Sequence, residues 1–278
     1  MNMHQPTVPF AAMDQAARIR HLETEGFVVI PNAIPTDEIA RIKSELSDLP
    51  MRPSFYSDKP TFAAKMPHLH SPACTDLIAN NAVLTFLRAL IGEDLVFIYS
   101  HYILSQPAQP PLEVHSDFQP FGSTYSGWLE TSPVRIRVLH YLDDTGTDKA
   151  PLRIVPRSHI CFHQDANPYK RYRSHPDELL FPMRAGDAFV FAVRMFHGVG
   201  PNTSDGTRGM LEYDYRPLWS RPYGPLEEWP ATPFPTPEAV KPLLKGRNAF
   251  DFRWEFDTKR AAVDEVPSGM SPHRWGRS

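Results

Sequence analysis

The chain has 278 residues, of which 41% are hydrophobic and 22% are charged, and its formal net charge is −3. This composition excludes wholesale disorder and allows the buried core of one large domain. The slight negative charge gives no electrostatic reason to expect a nucleic acid or a membrane as partner, so a small molecule is the expected partner of a monomer or homodimer.

The two cysteines, Cys74 and Cys161, are too few for a disulfide framework or a thiolate zinc site. The first residues lack a basic segment followed by a continuous apolar run, and no stretch is expected to reach transmembrane length. These features favour the reducing cytoplasm as the location of the protein.

The N-terminal third is predicted to be mainly helical. A helix is expected over 14–24, ending at Gly26, and a strand follows over 27–30. Thr36 is expected to cap the next helix with its hydroxyl group, and a further helix is expected over 76–91. Residues 14–92 are therefore predicted to form a helical support with one strand.

From about residue 94 the pattern changes to short strands bounded by Pro, Gly, Asn or Asp. Because no long helices separate them, they favour an antiparallel double-stranded β-helix, the cupin-like jelly roll, over a parallel fold. The predicted strand sequences are LVFIYSHYIL, LEVHSDF, VRIRVLHYL, LRIVP, AFVFAVRMFHG and RGMLEYDYRP. A single domain over 1–278 is expected, mainly β with flanking helices, with the core at 94–217 and an irregular covering segment at 218–278.

Three residues are candidate metal ligands. His115 and Asp117 are two positions apart on a predicted strand, so both side chains share one face. A lone His-x-Asp arises often in solvated strands and turns. His197 ends a predicted strand on the same parity as Phe189 and Phe191, which predicts an interior position, although a buried structural histidine is the alternative. Two imidazoles and a carboxylate are the ligand set of non-haem Fe(II) oxygenases.

Arg208 is the candidate anion-binding residue. A turn over 201–207 is expected to return the chain antiparallel and to place the guanidinium near the metal end of the neighbouring strand. Its planar fork suits a carboxylate, although a lone Arg is more often a surface charge.

These residues lie among segments whose order and spacing also form a pattern: GFVVIPNAIPTDEI, LDDTGTDKAPLRIVPRSH and GDAFVFAVRMFHGVGPNTSDGTR. Over about residues 24–217 the chain resembles the phytanoyl-CoA dioxygenase-like Fe(II)/2-oxoglutarate oxygenases. The resemblance implies that His115, Asp117 and His197 bind iron and that Arg208 holds the far carboxylate of 2-oxoglutarate. It also implies a dioxygenase that uses O2 and couples oxidation of a small organic substrate to decarboxylation of 2-oxoglutarate to succinate and CO2. Hydroxylation, desaturation and cyclisation remain open.

The chain departs from the family pattern in two turns. Arg157 stands where the family usually has Gly, and Lys149-Ala150 replaces Asn-Gly, which puts loop geometry in doubt rather than iron binding. Asp117 is retained, whereas related halogenases carry a small residue there, so oxygenation is favoured over halogenation.

Other polar residues have open alternatives. Arg137 shares a strand face with Arg135, Leu139 and Tyr141, and the family alignment suggests that this face looks inward. Arg137 either contacts the near carboxylate of the cosubstrate or an anionic substrate group, or forms a structural salt bridge. His140 and His159 are interpreted as structural residues or supports of the metal ligands. Solvated surface positions are favoured for Arg171, Arg173 and Arg216, with binding of an anionic substrate as the alternative.

The aromatic loop after Asp117 either closes over substrate or packs down; it carries Phe118, Phe121, Tyr125 and Trp128. The second functional hypothesis is a metal-binding β-barrel or isomerase that does not use 2-oxoglutarate. Arg208 discriminates between the two hypotheses, because a metal module does not need a cation at the cosubstrate position.

Overall fold

A computed structural model of the chain describes residues 9–54, 61–115, 135–160, 177–220 and 226–248. Within these ranges, the chain forms a seven-stranded and a four-stranded antiparallel sheet with helices in its N-terminal third. The predicted jelly-roll core is confirmed.

The helices are α1 (Gln15–Glu25), α2 (Thr36–Leu46), α3 (Pro72–Leu77) and α4 (Asn81–Ile91). The strands are β1 (Phe27–Ile30), β2 (Arg52–Ser54), β3 (Thr61–Lys65), β4 (Leu95–Ser105), β5 (Leu112–His115), β6 (Ile136–Tyr141), β7 (Leu152–Ile154), β8 (Leu179–Phe181), β9 (Ala188–Ala192), β10 (His197–Val199), β11 (Arg208–Pro217), β12 (Leu226–Glu227) and β13 (Arg247–Asn248).

The strand order shows how the two sheets share the chain. The large sheet has the order β1-β9-β6-β11-β4-β3-β2, the small sheet has the order β5-β10-β7-β8, and β12 pairs with β13. Aromatic side chains join the sheets: the ring of Phe181 on β8 lies 5.6 Å from that of Phe189 on β9 and 5.5 Å from that of Phe27 on β1. The candidate ligands on β5 and β10 therefore belong to the small sheet, and Arg208 belongs to the large one.

Two helix predictions need correction. The residue preceding α2 is Pro35 and no side chain caps its first turn, so the predicted role of Thr36 is wrong. Asp37 and Glu38 lie in that turn, where their negative charge favours the positive end of the helix dipole. The helix predicted over 76–91 is two helices, because the Asn80 side chain accepts a hydrogen bond from the Val83 amide at 3.0 Å and starts α4 anew.

The N-terminal third also has more strands than expected. It carries three strands rather than one, since β2 and β3 continue the large sheet beyond β4. Phe62 on β3 pairs with Leu104, and Lys65 pairs with His101. The sequences of β2 (RPS) and β3 (TFAAK) lack the continuous apolar run of β1 (FVVI), so the sequence pattern did not reveal them.

The stretch Pro72–Ile91 is long and apolar enough, by length and composition alone, to cross a membrane. The expectation that no stretch reaches that length is therefore wrong. The structure divides this stretch into α3 and α4 and buries half of it. Apolar side chains of α4, among them Val83, Phe86 and Leu87, join the hydrophobic core. A core helix of this kind passes the same compositional test.

The described part of the C-terminal segment covers the outside of β4. Trp229 stacks on Phe97 with ring centroids 5.5 Å apart, and Val240 and Leu243 are buried in the core. Apart from β12 and β13, this part contains one short 3-10 helix and irregular backbone, in keeping with a covering segment.

Both departures from the family pattern fall on backbone that favours glycine. Arg157 has φ 64° and Ala150 has φ 49°, in the left-handed region. The chain therefore keeps the two turns and accepts local strain of about 1 kcal/mol at each. The turn at Arg157 is tied to the end of α1, since its amide donates to the Glu25 carbonyl at 2.9 Å.

Candidate metal and cosubstrate site

The two predicted histidine ligands lie on neighbouring strands. His197 on β10 is the register partner of His115 on β5. Directly opposite residues of an antiparallel pair have Cα atoms about 4.5–5.5 Å apart. The fold thus brings together two residues that are 82 positions apart in the chain. Asp117 lies outside the described residues, and the described ranges alone contain no cluster of three metal-binding side chains.

The His197 imidazole is held in one orientation. The residue is 7% exposed, and its Nδ1 lies 2.9 Å from the carbonyl oxygen of Met195. Because a carbonyl oxygen only accepts, Nδ1 carries the proton and Nε2 keeps the lone pair that a metal needs. The Phe191 ring on the large sheet contacts the imidazole edge-on at 4.8 Å. The ring is therefore held between the two sheets, with Nε2 as the nitrogen that could bind a metal.

The route by which the chain reaches His197 differs from the prediction. The strand predicted over 188–198 is two strands, β9 and β10, in different sheets. Between them the chain turns, and the Met195 amide donates to the Ala192 carbonyl at 2.8 Å. Alternation with Phe189 therefore does not set the direction of His197, although its interior position is observed. The turn contains no Gly or Pro that would reveal it in the sequence.

Ser158, which the sequence reasoning did not single out, supports that turn. Its hydroxyl accepts the Phe196 amide at 2.8 Å and donates to the Val155 carbonyl at 2.6 Å. The Val155 amide in turn donates to the Phe196 carbonyl at 2.9 Å. Both backbone polar groups of the residue preceding His197 are thus held by one turn, which makes Ser158 a positioning residue.

Replacing Ser158 with Ala should weaken Fe(II) binding about 10-fold, because supports of metal ligands typically contribute that much to affinity. Anaerobic equilibrium dialysis with Fe(II) measures this effect. Ser158→Thr keeps the hydroxyl and should restore affinity.

Ser220→Ala is the matched control, since Ser220 is buried and donates to the Pro217 carbonyl at 2.9 Å far along the chain from His197. It should lose stability and keep iron affinity. Equal iron affinity in Ser158→Ala and the wild type would contradict the positioning role.

Arg208 is a deeply buried cation. It is 1% exposed, and its Nε and Nη1 atoms have no hydrogen-bond partner among the described residues. Burial lowers the pKa of its guanidinium, and nearby Asp143 opposes that shift. The Asp143 carboxylate is engaged elsewhere, accepting the Gly209 amide at 2.8 Å and pairing with Lys43 at 2.6 Å. A buried guanidinium of this kind is stable only when an anion accompanies it.

Arg208 begins β11, as predicted, but the expected hairpin with the strand carrying His197 is wrong. β10 belongs to the small sheet, whereas β11 lies between β4 and β6 in the large sheet. The turn over 201–207 is a crossover between sheets. The guanidinium carbon lies 5.9 Å from the centre of the Tyr141 ring on β6.

Arg137 takes part in a buried ion-pair network. Its Nε donates to Asp214 at 2.9 Å, and its Nη2 lies 3.1 Å from Glu212 and also contacts the Tyr99 hydroxyl. Arg135 pairs with Asp214 as well. This is the arrangement that the salt-bridge alternative predicts. A contact of Arg137 with cosubstrate or substrate stays a prediction.

Two of the remaining polar predictions agree with the structure and one does not. His140 is fully buried and packs edge-on against Tyr213, and His159 lies 2.8 Å from the Glu23 carbonyl, as expected of structural residues. Arg216 was expected on the solvated surface but is 4% exposed and donates to the Ser220 carbonyl at 2.7 Å.

The predictions for Arg171, Arg173 and the aromatic loop lie outside the described residues, as does Cys161. Cys74 is buried, and burial raises the pKa of its thiol to about 12.

Comparisons with known proteins agree with this architecture. The family model for phytanoyl-CoA dioxygenase matches residues 22–210. A curated protein of Stutzerimonas stutzeri, named as a probable alpha-ketoglutarate-dependent hypophosphite dioxygenase, is 22% identical over 229 residues, which cover 72% of this chain and 78% of that protein.

Among solved structures, HygX from Streptomyces hygroscopicus with nickel, 2-oxoglutarate and hygromycin B bound has a TM-score of 0.61 and 17% identity, covering 73% of this chain and 87% of that one. The epimerase SnoN from nogalamycin biosynthesis, described as alpha-ketoglutarate-dependent, has a TM-score of 0.61 and 19% identity, covering 73% and 83%. These likenesses establish the fold. The family match, over more than half of the chain, shows that the protein belongs to the phytanoyl-CoA dioxygenase family of Fe(II)- and 2-oxoglutarate-dependent oxygenases.

Proposed function

We propose that the protein oxidises a small organic substrate, a natural product or metabolite, with O2 and 2-oxoglutarate at an Fe(II) ion held by His115, Asp117 and His197. Hydroxylation is the favoured outcome, with desaturation or cyclisation as variants. The observation that carries the proposal is the buried Arg208, whose Nε and Nη1 have no partner among the described residues.

The described residues fit both groups. The protonated Nδ1 of His197 leaves Nε2 to bind the metal, and the strand register pairs His197 with His115 on the neighbouring strand. Arg208 supplies the cation that the terminal carboxylate of 2-oxoglutarate requires. When bound, the iron and cosubstrate supply the oxidising chemistry.

The protein's contribution is orientation and exclusion of water. Arg208 holds one end of the cosubstrate in a fully buried position, so the other end is directed into the space between the sheets. Phe191 covers the edge of the His197 ring with an apolar surface. Such packing fixes the ligand and keeps bulk water from the metal.

The alternative is a metal-binding β-barrel or isomerase that keeps the histidines but does not use 2-oxoglutarate. It gives no reason to bury a guanidinium that has no ion-pair partner in the described part of the chain, which costs several kcal/mol of stability unless a ligand compensates it. The alpha-ketoglutarate dependence stated for the Stutzerimonas and SnoN proteins also supports the oxygenase. Cytoplasmic location and a monomeric or homodimeric state remain part of the proposal.

The experiment adds Fe(II) and 2-oxoglutarate to the purified protein without oxygen. Chelation of iron by the 2-oxo acid should give a visible absorption band at about 500 nm. His197→Ala and His115→Ala should abolish the band without unfolding the protein. His70→Ala, a change at an exposed histidine, is the control and should keep it. A wild-type protein that binds iron but shows no band would support the metal-module alternative and reject the oxygenase.

A further inference from the structure

Two buried polar side chains face each other at the end of the ladder between β4 and β11. Ser105, the last residue of β4, is the register partner of Arg208, the first residue of β11. Each is 1% exposed. The Ser105 hydroxyl oxygen has no hydrogen-bond partner among the described residues, and the same holds for Nε and Nη1 of Arg208.

Direct cross-strand partners share one face of a sheet and have Cβ atoms about 4.5–5.5 Å apart. A buried hydroxyl without a partner is costly, and so is a buried cation without an anion. A water molecule would satisfy the hydroxyl but would leave the positive charge uncompensated. A carboxylate satisfies both groups, since one oxygen can accept from the guanidinium while the other accepts from the hydroxyl.

The backbone around this pair is held firmly. The Asn202 side chain, which is fully buried, donates to the Gly206 carbonyl at 2.9 Å and to the Ser105 carbonyl at 3.5 Å. It thereby ties the end of β4 to the turn that leads into Arg208. The Tyr141 ring flanks the guanidinium on the neighbouring strand. The two donors are therefore preorganised, which favours selective binding.

We infer that Ser105 is a second donor to the terminal carboxylate of the 2-oxo acid and that, with Arg208, it makes the protein select dicarboxylic over monocarboxylic 2-oxo acids. This inference rests on the proposed function. Arg208 supplies the charge, and Ser105 fixes the rotation of the carboxylate. A 2-oxo acid without a terminal carboxylate leaves both buried groups unpaired, the situation in which binding sites discriminate most strongly.

The test measures binding rather than turnover. Isothermal titration of the anaerobic Fe(II)-loaded protein with 2-oxoglutarate and with 2-oxobutyrate gives the two affinities. Ser105→Ala should weaken 2-oxoglutarate binding by about 10- to 100-fold, the usual effect of losing one hydrogen bond to a charged group, and leave 2-oxobutyrate binding unchanged. Ser105→Cys replaces the hydroxyl with a thiol of similar size that is only a weak hydrogen-bond donor, and it should behave alike, so the result does not depend on how one variant packs.

Ser100→Ala is the matched control. Ser100 lies on the same strand, is fully buried, and has its hydroxyl 2.6 Å from Nδ1 of His68. Its loss should reduce stability without changing the affinity for 2-oxoglutarate. If the wild type binds 2-oxoglutarate and both Ser105 variants bind it equally well, the role of Ser105 is overturned and the proposed function stands. If the wild type binds iron but no 2-oxoglutarate, the proposed function itself fails.

Discussion

Replacing Arg208 with Met should make the ligand-free protein more stable and weaken its binding of 2-oxoglutarate at least about 100-fold. The guanidinium is 1% exposed, and no ion pair to it is found among the described residues. Replacing a buried ion pair by apolar side chains of similar volume is often neutral or stabilising by about 1–4 kcal/mol, and we expect the same direction for a single buried charge. Affinity falls because a charge-assisted, forked contact to the cosubstrate is lost. Urea denaturation gives the first quantity and calorimetric titration gives the second.

Arg216→Met is the matched control. Arg216 lies on the same strand and is nearly as buried, but its Nη1 donates to the carbonyls of Pro217 and Ser220 at 3.3 and 2.7 Å. Its loss should destabilise the protein, because buried carbonyls lose their donor, and should leave 2-oxoglutarate affinity intact. An Arg208→Met protein that is less stable and binds 2-oxoglutarate as the wild type does would identify Arg208 as a structural residue.

The two arginine replacements are expected to change the stability of the ligand-free protein in opposite directions, because a residue retained for ligand binding can destabilise the protein when the ligand is absent. A residue retained for the fold stabilises the folded state even when no ligand is bound, as Arg216 does through its carbonyl partners. A residue retained for ligand binding finds its partner only when that ligand is bound, so its removal stabilises the ligand-free protein. Stability measured with and without 2-oxoglutarate therefore separates the two roles in one pair of variants.

Local pattern was sufficient for much of the fold. The strand predicted over 208–217 is β11 to the residue, because a turn rich in polar residues precedes it and Pro217 ends it. The helix before Gly26 was also correct, since Gly26 adopts φ 92° as its C-cap. In both elements, the residues that predict where the element begins or ends lie within a few positions of that point.

Contacts between residues far apart in the chain could not be predicted from the sequence. Ser105 and Arg208 are 103 residues apart and meet only because β4 and β11 are neighbours in the large sheet. Ser158 acts on Phe196 through a tertiary contact for which the sequence carries no signal beyond the adjacent His159. The interior position of His197 was predicted from strand parity and is observed, but the turn after Ala192 shows that parity with Phe189 is not its cause. The role of His197 as an iron ligand stays a prediction, which rests on residue type and on family spacing.

His140 should make the stability of the protein fall in acid. It is fully buried, neither ring nitrogen has a partner among the described residues, and burial lowers its pKa to about 3. In the unfolded chain its pKa is near 6.5, so between these values the unfolded state binds one proton more than the folded state. The free energy of unfolding should therefore decrease by about 1.4 kcal/mol per pH unit from this residue alone as the pH falls below about 6.5.

His140→Leu removes that proton without leaving a large cavity. At pH 8 the variant and the wild type should differ little, because the loss of the edge contact with Tyr213, at 5.5 Å, offsets the removal of two unsatisfied nitrogens. At pH 4 the variant should be the more stable by about 3 kcal/mol. Urea denaturation from pH 8 to pH 4 measures the difference.

His70→Leu serves as the exposed control and should follow the wild type at every pH. His68, whose pKa burial also lowers to about 3, is present in all three proteins and keeps part of the acid sensitivity in each. In His140→Leu, only the part of the pH dependence of unfolding free energy that His140 contributes should therefore disappear. Parallel curves for the wild type and His140→Leu would mean that His140 takes up a proton without unfolding. The interior beneath β6 would then admit water or an anion to the imidazole.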